Sequence, residues 1–286
     1  MEITVVIPTL NEERHIRECL ESVWSNTKKP MEILVCDGGS TDGTVRIAES
    51  LGAKVLINKD RTAATGRNLG IAYASGDIIA FTDGDCKVDV HWIESLLKEF
   101  EDRSVDGVGG RTVPAETDNE IERFWGHVSL EVIMSFPEHG YTVTNRTLND
   151  AFITANCAYR TAFLKEIGGF DPWFGNNAED VDLSWRALDH GAKLRYCPYA
   201  VVIAHSPQTI RGMCQKSFRN GVSSTKLQKV HSGEESSLDL DLYRTLMRSI
   251  VGTFEMNKQD LLLCIELVCH IWGKISSSRK LHYRNW

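Results

Sequence analysis

The stretch Ile78-Ile79-Ala80-Phe81-Thr82-Asp83-Gly84-Asp85-Cys86 (IIAFTDGDC) places an apolar run directly before two carboxylates. Four consecutive apolar residues, with no polar alternation, predict a strand that is buried on both faces of a sheet. Asp83 and Asp85 follow where this strand leaves the core. Open α/β sheets bind ligands at the carboxyl ends of their strands, so the stretch predicts both a fold class and the position of a site.

The acidic pair Asp83-Gly84-Asp85 has two interpretations. Two carboxylates one residue apart repel each other unless a cation lies beside them. A divalent metal ion that holds a phosphate fits this position, because hard cations prefer oxygen ligands. The alternative is a polar Asp-Gly turn that closes the strand. The stretch alone leaves both open.

Strands and helices alternate four times in the first hundred residues, with short connections between them. This order is typical of a parallel, right-handed α/β sheet. The predicted strands cover residues 3–7 (stopped by Pro8), 32–36, 54–57 and 78–81, and the predicted helices cover 12–25 (with Asn11 as N-cap), 42–51 (stopped by Gly52), 62–74 and 91–100.

Polar clusters follow three of these strands, and the predicted topology brings them to one sheet edge: residues 8–12, Asp37, and the pair Asp83 and Asp85. The sequence contains neither GxGxxG nor a P-loop pattern. A bound diphosphate would therefore need a metal ion and arginines for neutralisation rather than a glycine-rich helix start. Arg61 and Arg67, in DRTAATGRNLG, are the available cations.

The second half of the chain is less regular. It predicts a strand at 105–113, a helix at 120–134, a loop at 139–150, an edge strand at 158–160, a helix at 161–167 closed by Gly168-Gly169, a helix at 180–190, and strands on both sides of Cys197-Pro198 that end at His205.

Two residues in this half, Asp180 and His205, are candidates for a role in a reaction. Asp180 starts a helix after a loop rich in glycine and asparagine, where it could act as a general base for an acceptor hydroxyl. The alternative is that the helix dipole favours acids in a first turn without any function. His205 ends an apolar strand and could become a third metal ligand, the alternative being a lone histidine with satisfied contacts.

The C-terminal third is predicted to be helical, with Leu242, Leu246, Ile250 and Phe254 along one face. In residues 260–275 the polar stripe of Glu266, His270, Gly273 and Lys274 leaves a broad apolar face. Such a face suits packing on the protein or in a homodimer, which is the expectation that we favour. The alternative is peripheral contact with a membrane surface, which the basic residues Lys274, Arg279, Lys280, His282 and Arg284 would also suit.

Composition narrows the class of protein. The 286-residue chain has a net charge of −7, which argues against a nucleic-acid partner. Its eight cysteines form no CxxC pair, which argues against a disulfide framework or zinc ribbon and favours a reducing cytoplasm. The chain starts without a recognisable signal peptide, and no run approaches the roughly 18 apolar residues of a spanning helix. We therefore expect a cytoplasmic location, with membrane association at the cytoplasmic face as a possibility.

Six segments in order resemble a family 2 glycosyltransferase of the GT-A type: VVIPTLNEE, VCDGGSTDGT, RNLG, FTDGDC, GGFD and NNAEDVDLSWR. The resemblance covers about the first 205 residues. It implies a Rossmann-like, mostly parallel central sheet flanked by helices, a nucleotide-sugar donor, a divalent metal ion (Mn²⁺ or Mg²⁺) and an inverting single displacement. UDP is the commonest donor nucleotide among such relatives, and the acceptor would be a glycan or lipid-linked hydroxyl.

The resemblance also implies roles for individual residues. Pro8, Thr9 and Glu12 correspond to the first nucleotide-contacting turn, Asp37 with Gly39 to the contact with base or ribose, and Arg61 or Arg67 to the contact with the donor phosphates. Asp83, Gly84 and Asp85 match the DxD metal motif, His205 matches a histidine near the metal, and Asp180 of the pair Glu179-Asp180 matches the catalytic base.

The domain organisation that we expect has three parts. Residues 1–110 form the nucleotide-sugar-binding half, residues 111–210 the acceptor-binding and catalytic half of the same GT-A domain, and residues 211–286 a helical C-terminal extension. Gln215 to Arg219 only loosely resembles the QxxRW motif of processive relatives, which favours single addition over polymer synthesis.

Two other functions are weighed against transfer. A phosphohydrolase would use Asp83 as nucleophile and Asp85 as acid, but Lys87 stands where a small hydroxyl or β-branched residue is usual. A degenerate transferase would act only as a nucleotide-sugar-binding or assembly protein. The intact DGD and ED pairs argue against that function.

Overall fold

The computed structural model describes residues 1–133, 136–231 and 258–282. Its strands are β1 (Ile3–Thr9), β2 (Glu32–Asp37), β3 (Lys54–Ile57), β4 (Ile78–Phe81), β5 (Cys86–Val88), β6 (Val105–Pro114), β7 (Tyr141–Val143), β8 (Cys157–Arg160) and β9 (Lys193–Ala204). Its α-helices are α1 (Ile16–Trp24), α2 (Thr44–Ser50), α3 (Ala63–Tyr73), α4 (Trp92–Glu99), α5 (Glu120–Gly126), α6 (Thr161–Glu166), α7 (Glu179–Asp189), α8 (Ile210–His231) and α9 (Lys258–His282), and a π-helical segment covers His127–Ile133.

Within the described residues the strands form one sheet in the order β3-β2-β1-β4-β8-β6-β9-β5, with β7 paired to β9. The first four strands are parallel to one another, as predicted. Beyond β4 the sheet is mixed, because β8 runs antiparallel to both of its neighbours while β6 and β9 are parallel. The predicted α/β sheet flanked by helices is therefore confirmed, with its parallel part confined to the first half and the β6–β9 pair.

Two apolar clusters of the described residues cover the sheet. One contains residues of α1, α2 and α4, such as Leu20, Ala48 and Trp92, and the other contains residues of α3, α6 and α7, such as Ile71 and Leu183. Because both faces are covered, β4 is fully buried at all four positions, as its uninterrupted apolar sequence predicted.

The chain divides into two compact units. The first consists of Met1–Ala115 and Val128–His205, and the second of Glu116–His127 with the described part of Ser206–Trp286. The three-part organisation expected from the sequence, with limits at residues 110 and 210, stays a prediction. Its limit at residue 110 falls inside β6, whose pairing with β9 continues through Pro114.

Several predicted details are wrong for identifiable physical reasons. Pro8 does not stop β1, since β4 ends opposite Val6 and no partner on that side requires the missing N–H. Asn11 is not the N-cap of α1. It has a φ of 59°, and its side-chain oxygen accepts a hydrogen bond from the backbone N–H of Thr41 instead.

The segment at 158–160 is not an edge strand, because β8 lies between β4 and β6. The two strands expected around Cys197-Pro198 are one strand, β9, and the helix expected at 120–134 becomes π-helical after Gly126. β5 and β7 have three residues each and were not predicted. Leu242, Leu246, Ile250, Phe254 and Arg284 lie outside the described residues.

Asn156 holds an irregular junction between β6 and β9. Gly110 is opposite Cys197, whereas the next residue, Arg111, is opposite Val201, so three residues of β9 have no counterpart. The fully buried side-chain amide of Asn156 donates to the carbonyl oxygens of Arg111 and Ala200, each at 2.8 Å. Its oxygen accepts a hydrogen bond from the indole N–H of Trp92 at 2.8 Å.

We predict that Asn156→Ala lowers the free energy of unfolding by about 3 kcal/mol, because it leaves several buried polar groups without partners at about 1–3 kcal/mol each. Urea denaturation measures this change. Asn145→Ala, at an exposed position, is the control and should stay within about 0.5 kcal/mol of the parent. Equal losses for the two variants would contradict the role of Asn156.

Candidate active site

The predicted polar clusters meet at the carboxyl ends of β1, β2 and β4. Thr9 and Asp37 end β1 and β2 at the same level of the sheet, and the Thr9 hydroxyl donates to Asp37 Oδ1 at 3.3 Å. Gly84 lies against the first of these strands, because a Cβ atom on it would lie 3.0 Å from Thr9 Cγ2 and 3.2 Å from Glu12 Cγ. The glycine between the two aspartates therefore allows the DGD turn to approach the segment after β1.

Asp37 shapes the turn that follows β2. Its side chain is 1% exposed, and Oδ2 accepts hydrogen bonds from the backbone N–H groups of Gly39 and Ser40, both at 2.8 Å. Gly39 has a φ of 84°, a conformation that glycine adopts without steric cost. The carboxylate of Asp37, which the resemblance implies as a nucleotide contact, is thus hydrogen-bonded within its own loop. Gly39 and Ser40 are the residues of this loop that lie at the sheet edge.

Glu12 shares its surroundings with the DGD pair. Burial, together with the negative charges of Asp85, Asp83 and Asp42, raises the pKa of Glu12 to about 8. The same two aspartates add to the desolvation that raises the pKa values of the buried Cys19 and Cys86 thiols. The edge after β1 and β4 is therefore a strongly negative region of the described protein.

His205 reaches this edge through β5 and β9. These strands are antiparallel with Cys86 opposite Ala204, and the backbone N–H of His205 donates to the carbonyl oxygen of Asp85 at 3.3 Å. Its ring lies 4.5 Å, centroid to centroid, from the ring of His15. His15 was not singled out in the sequence, where it appears only as a polar residue before α1.

The donor set suits a hard divalent cation in its chemistry but does not form a complete cage. Asp83, Asp85 and Glu12 offer carboxylate oxygens, and burial together with the charges of the two aspartates raises the pKa of Glu12. In the described part of the chain, no three His, Cys, Asp or Glu side chains are already arranged to hold a metal ion. The metal site of Asp83, Asp85 and His205 therefore stays a prediction.

Arg67 connects the two acidic pairs that the sequence indicated. Nη2 bonds to Asp83 Oδ1 at 2.8 Å, and Nη1 bonds to Glu179 Oε1 at 2.6 Å. The side chains of Arg67 and Glu179 are 3% and 4% exposed, respectively. Burial acts to lower the pKa of Arg67, but Asp83, Glu179 and Asp180 raise it above its ordinary value, so this guanidinium stays charged.

The neighbouring Asn68 fixes the chain that leads to α7. Its side chain donates to the carbonyl oxygen of Phe170 at 2.7 Å and accepts from the backbone N–H of the same residue at 2.8 Å. At the start of α3, the N–H of Ala63 donates to Asn176 Oδ1 and that of Ala64 to the carbonyl oxygen of Gly175. Asn68 therefore anchors the start of the loop before α7 at Phe170, and Arg67 anchors its end at Glu179.

Glu179 and Asp180 open α7 after Ala178, which has a left-handed φ of 68°. Burial raises the pKa of Asp180, an effect that Arg67 and the backbone N–H groups of Val181 and Thr154 partly offset. Burial likewise raises the pKa of Glu179 against the effect of Arg67. Of this pair, Glu179 is buried and bonded to Arg67, whereas Asp180 keeps partial solvent exposure.

The two arginines have different surroundings. Arg61 is exposed, with a φ of 61°, and its side chain lies over the turn after β2, where Nε donates to the carbonyl oxygen of Gly38 at 2.8 Å. Arg67 is enclosed between two carboxylates. Arg61 is therefore the exposed one of the two arginines that the resemblance implies as contacts of the donor phosphates.

These observations are matched by comparisons with known proteins. Residues 4–168 match the family described as glycosyl transferase family 2, and the chain belongs to this family. It is 30% identical to glycosyltransferase AglE of Haloferax volcanii over 230 residues, which is 77% of this chain and 71% of the relative. Its match to some longer glycosyltransferases spans only 46% of their length. The chain is thus a glycosyltransferase by family.

Solved structures support the fold. The mannosyltransferase of Pyrobaculum calidifontis, in complex with GDP-Man and Mn²⁺, superposes with a TM-score of 0.60 at 20% identity, covering 99% of this chain and 74% of that one. Glucosyl-3-phosphoglycerate synthase of Mycobacterium tuberculosis, in complex with Mn²⁺, UDP and glucosyl-3-phosphoglycerate, gives a TM-score of 0.56 at 17% identity over 80% and 79% of the chains. The fold is therefore that of the GT-A glycosyltransferases, as the resemblance implied.

We predict that Arg67→Ala lowers the free energy of unfolding by about 3–5 kcal/mol, because it leaves Glu179 as a buried charge without its partner. Arg17→Ala is the matched control, since Arg17 forms an exposed pair with Glu21 that is worth about 0–1 kcal/mol. Chemical denaturation of both variants compares the two pairs. A loss below about 1 kcal/mol for Arg67→Ala would show that the buried pair does not hold the site together.

We also predict a pH-dependent effect of Glu12→Gln in the metal-free protein. The pKa of Glu12 is about 8 when folded, against 4.5 as its ordinary value, so folding is progressively penalised as the pH rises through this interval. The glutamine removes the penalty. At pH 8 it should raise the melting temperature by about 2–4 °C, a value that assumes about 1 kcal/mol because the side chain is partly exposed, and at about pH 4 it should have no effect.

Thermal unfolding with a chelator present measures this difference. Glu13→Gln, at an exposed neighbouring position, is the control. Parallel pH profiles for the parent and Glu12→Gln would contradict the electrostatic origin of the shift.

Proposed function

We propose that this chain is an inverting glycosyltransferase, which moves a sugar from a nucleoside-diphosphate sugar to an acceptor hydroxyl by a single displacement. The observation that carries the proposal is the buried contact of Arg67 with both Asp83 and Glu179. This contact joins the acids that follow β4 to the acids that open α7. A donor held at the first pair would therefore lie beside a base in the second.

The donor would bind along the edge formed by the ends of β1, β2 and β4. Pro8, Thr9 and Glu12 would line the first turn, Gly39 and the loop that Asp37 shapes would face the nucleoside, and Arg61 would face the phosphates. Asp85 and Asp83 would hold a divalent metal ion, Mn²⁺ or Mg²⁺, with His205 beside it. Such an ion, when bound, supplies Lewis acidity toward the leaving diphosphate. Both structural relatives named above contain Mn²⁺.

Asp180 would act as the general base. Its carboxylate accepts the proton of the acceptor hydroxyl while that oxygen forms a bond to the anomeric carbon, and the bond from this carbon to the phosphate oxygen breaks on the opposite face. The products are an inverted glycoside, a nucleoside diphosphate and a protonated Asp180. Burial, which raises the pKa of Asp180, makes it a better proton acceptor, and the bond between Glu179 and Arg67 fixes its position in the first turn of α7.

Several finer points belong to the same proposal. We assign UDP as the donor nucleotide, which the UDP complex of one structural relative supports, and a glycan or lipid-linked sugar as the acceptor. We place the reaction in the cytoplasm or at the cytoplasmic face of a membrane. The finding that all eight cysteines are free supports a reducing compartment.

We predict that Asp180→Asn lowers kcat by about 10²–10⁴-fold without weakening donor binding, because the amide keeps the shape of the side chain but takes up no proton. A thermal-shift screen of nucleoside diphosphates and their sugars with Mn²⁺ first identifies the donor. Release of the nucleoside diphosphate in the presence of acceptor then measures turnover, and NMR of the product determines the anomeric configuration.

Asp189→Asn, at the exposed C-terminal end of the same helix, is the matched control. Wild-type turnover by Asp180→Asn would exclude Asp180 as the base. Metal-dependent donor binding without any transfer would indicate a nucleotide-sugar-binding protein, and release of phosphate from simple phosphate esters would indicate a phosphohydrolase.

A further inference from the structure

The helices α8 and α9 of the second unit pack partly through polar and small residues. Glu266 is 9% exposed, and its carboxylate accepts a hydrogen bond from the hydroxyl of the fully buried Ser217 at 2.9 Å. A Cβ atom on Gly221 would lie 2.0 Å from the carbonyl oxygen of His270, and one on Gly273 would lie 2.1 Å from that of Phe218. The stripe of Glu266, His270 and Gly273 therefore faces α8.

The opposite side of α9 is apolar and exposed. Leu261, Val268 and Trp272 are 50%, 58% and 59% exposed. Their spacing of seven and four residues places them on one face of the helix. A helix on a water-soluble core normally buries its apolar residues and exposes its polar ones. α9 buries Leu262 and Leu267, but it also buries Glu266 and leaves this apolar stripe exposed. Close contact through small residues, with apolar side chains directed outward, is typical of helix pairs in a lipid environment.

The same helices concentrate positive charge in an acidic chain. α8 contains five basic residues and no Asp or Glu: Arg211, Lys216, Arg219, Lys226 and Lys229. α9 contains four basic residues (Lys258, Lys274, Arg279 and Lys280) against two acids, Asp260 and the buried Glu266. The whole chain carries a net charge of −7, so the rest of the sequence is much more acidic than this pair.

An apolar groove of about 630 Å³ lies between α8, which carries the basic residues, and the exposed apolar face of α9. It lies between Cys214, Phe218 and Arg219 of α8 and Val268, Cys269 and Trp272 of α9. Exposed tryptophan beside arginine and lysine is the combination that amphipathic segments use at the boundary between lipid headgroups and acyl chains. No helix in the described ranges is both long and apolar enough to span a bilayer.

We propose that this helix-pair face, defined by Leu261, Val268, Trp272, Phe218 and Arg219, binds the surface of an anionic lipid bilayer. The apolar side chains enter the headgroup boundary, and the basic side chains of α8 contact the negatively charged headgroups. In a two-fold symmetric dimer the basic residues of this face would lie opposite their own copies and repel them, whereas an anionic bilayer complements their charge. That the contact gives access to lipid-linked acceptors rests on the proposed function, whereas the binding itself does not.

Flotation of the full chain with vesicles tests the proposal. We expect the protein to float with vesicles of phosphatidylcholine mixed with phosphatidylglycerol, and to float much less with phosphatidylcholine alone or at high salt. Arg219→Gln should lower the partition coefficient about fivefold, which corresponds to about 1 kcal/mol for one basic residue near an anionic surface. Trp272→Gln should lower it about tenfold, because it removes an apolar anchor.

Two exposed residues of the first unit provide matched controls. Tyr199→Gln, at a position 75% exposed, matches Trp272→Gln, and Lys54→Gln matches Arg219→Gln; both should float like the parent. Circular dichroism checks that every variant is folded. The thermal shift with nucleotide sugar is recorded for the same samples, so that loss of lipid binding and failure of the proposed transferase activity are separate results.

Three outcomes would overturn the proposal. The parent protein could remain at the bottom of the gradient with anionic vesicles, or the Trp272 and Arg219 variants could float as well as their controls. Alternatively, light scattering could show a dimer that Trp272→Gln dissociates, which would assign the helix-pair face to a second copy of the chain.

Discussion

A single buried guanidinium is the constraint on which the candidate site depends. Arg67 lies between Asp83 and Glu179, which are separated by 96 residues in the sequence, and it contacts both carboxylates at hydrogen-bond distance. A charge this deeply buried is tolerated only when it is paired with good geometry. The position of α7 relative to the end of β4 is therefore fixed by an interaction that has little freedom to adjust. Because Asp180 directly follows Glu179 in α7, the same contact also fixes its position.

Packing brings Arg67 close enough to make both contacts. Gly70, one turn further along α3, lies against β1, and a Cβ atom there would lie 2.3 Å from Val6 Cγ1. The helix can thus lie close to the sheet, under the strand ends that carry the site. The ring of Phe170, 5.7 Å from the guanidinium carbon of Arg67, covers the pair from the side of the loop that Asn68 anchors. The contacts of Arg67 therefore depend both on the small residue Gly70 of α3 and on the two distant acids Asp83 and Glu179.

Local patterns predicted much of this fold but few of its long-range contacts. The apolar run of β4, the alternation of the first strands and helices, and the acids after β4 are encoded within short windows and appear where expected. The position of β8 between β4 and β6 is not encoded in a short window, because the sequence of a four-residue strand does not specify the strands with which it pairs. The role of Asp37 in its own turn and the partners of Arg67 depend equally on contacts that no short window contains. For α9, the sequence showed two distinct faces, but periodicity does not specify which of them is buried.

The charges of the site explain why a cation suits it. Glu12, Asp83, Asp85, Glu179 and Asp180 lie along one connected edge, and Arg67 is the positive group enclosed with them. Its charge is already shared between Asp83 and the acids of α7. Burial, together with the charges of Asp85 and Asp83, raises the pKa of Glu12 to about 8, so that this side chain largely keeps its proton at neutral pH. A ligand that brings a divalent cation would replace that proton. The proposed recognition of a metal-bound diphosphate and the raised pKa of Glu12 would thus be two consequences of the same arrangement of carboxylates.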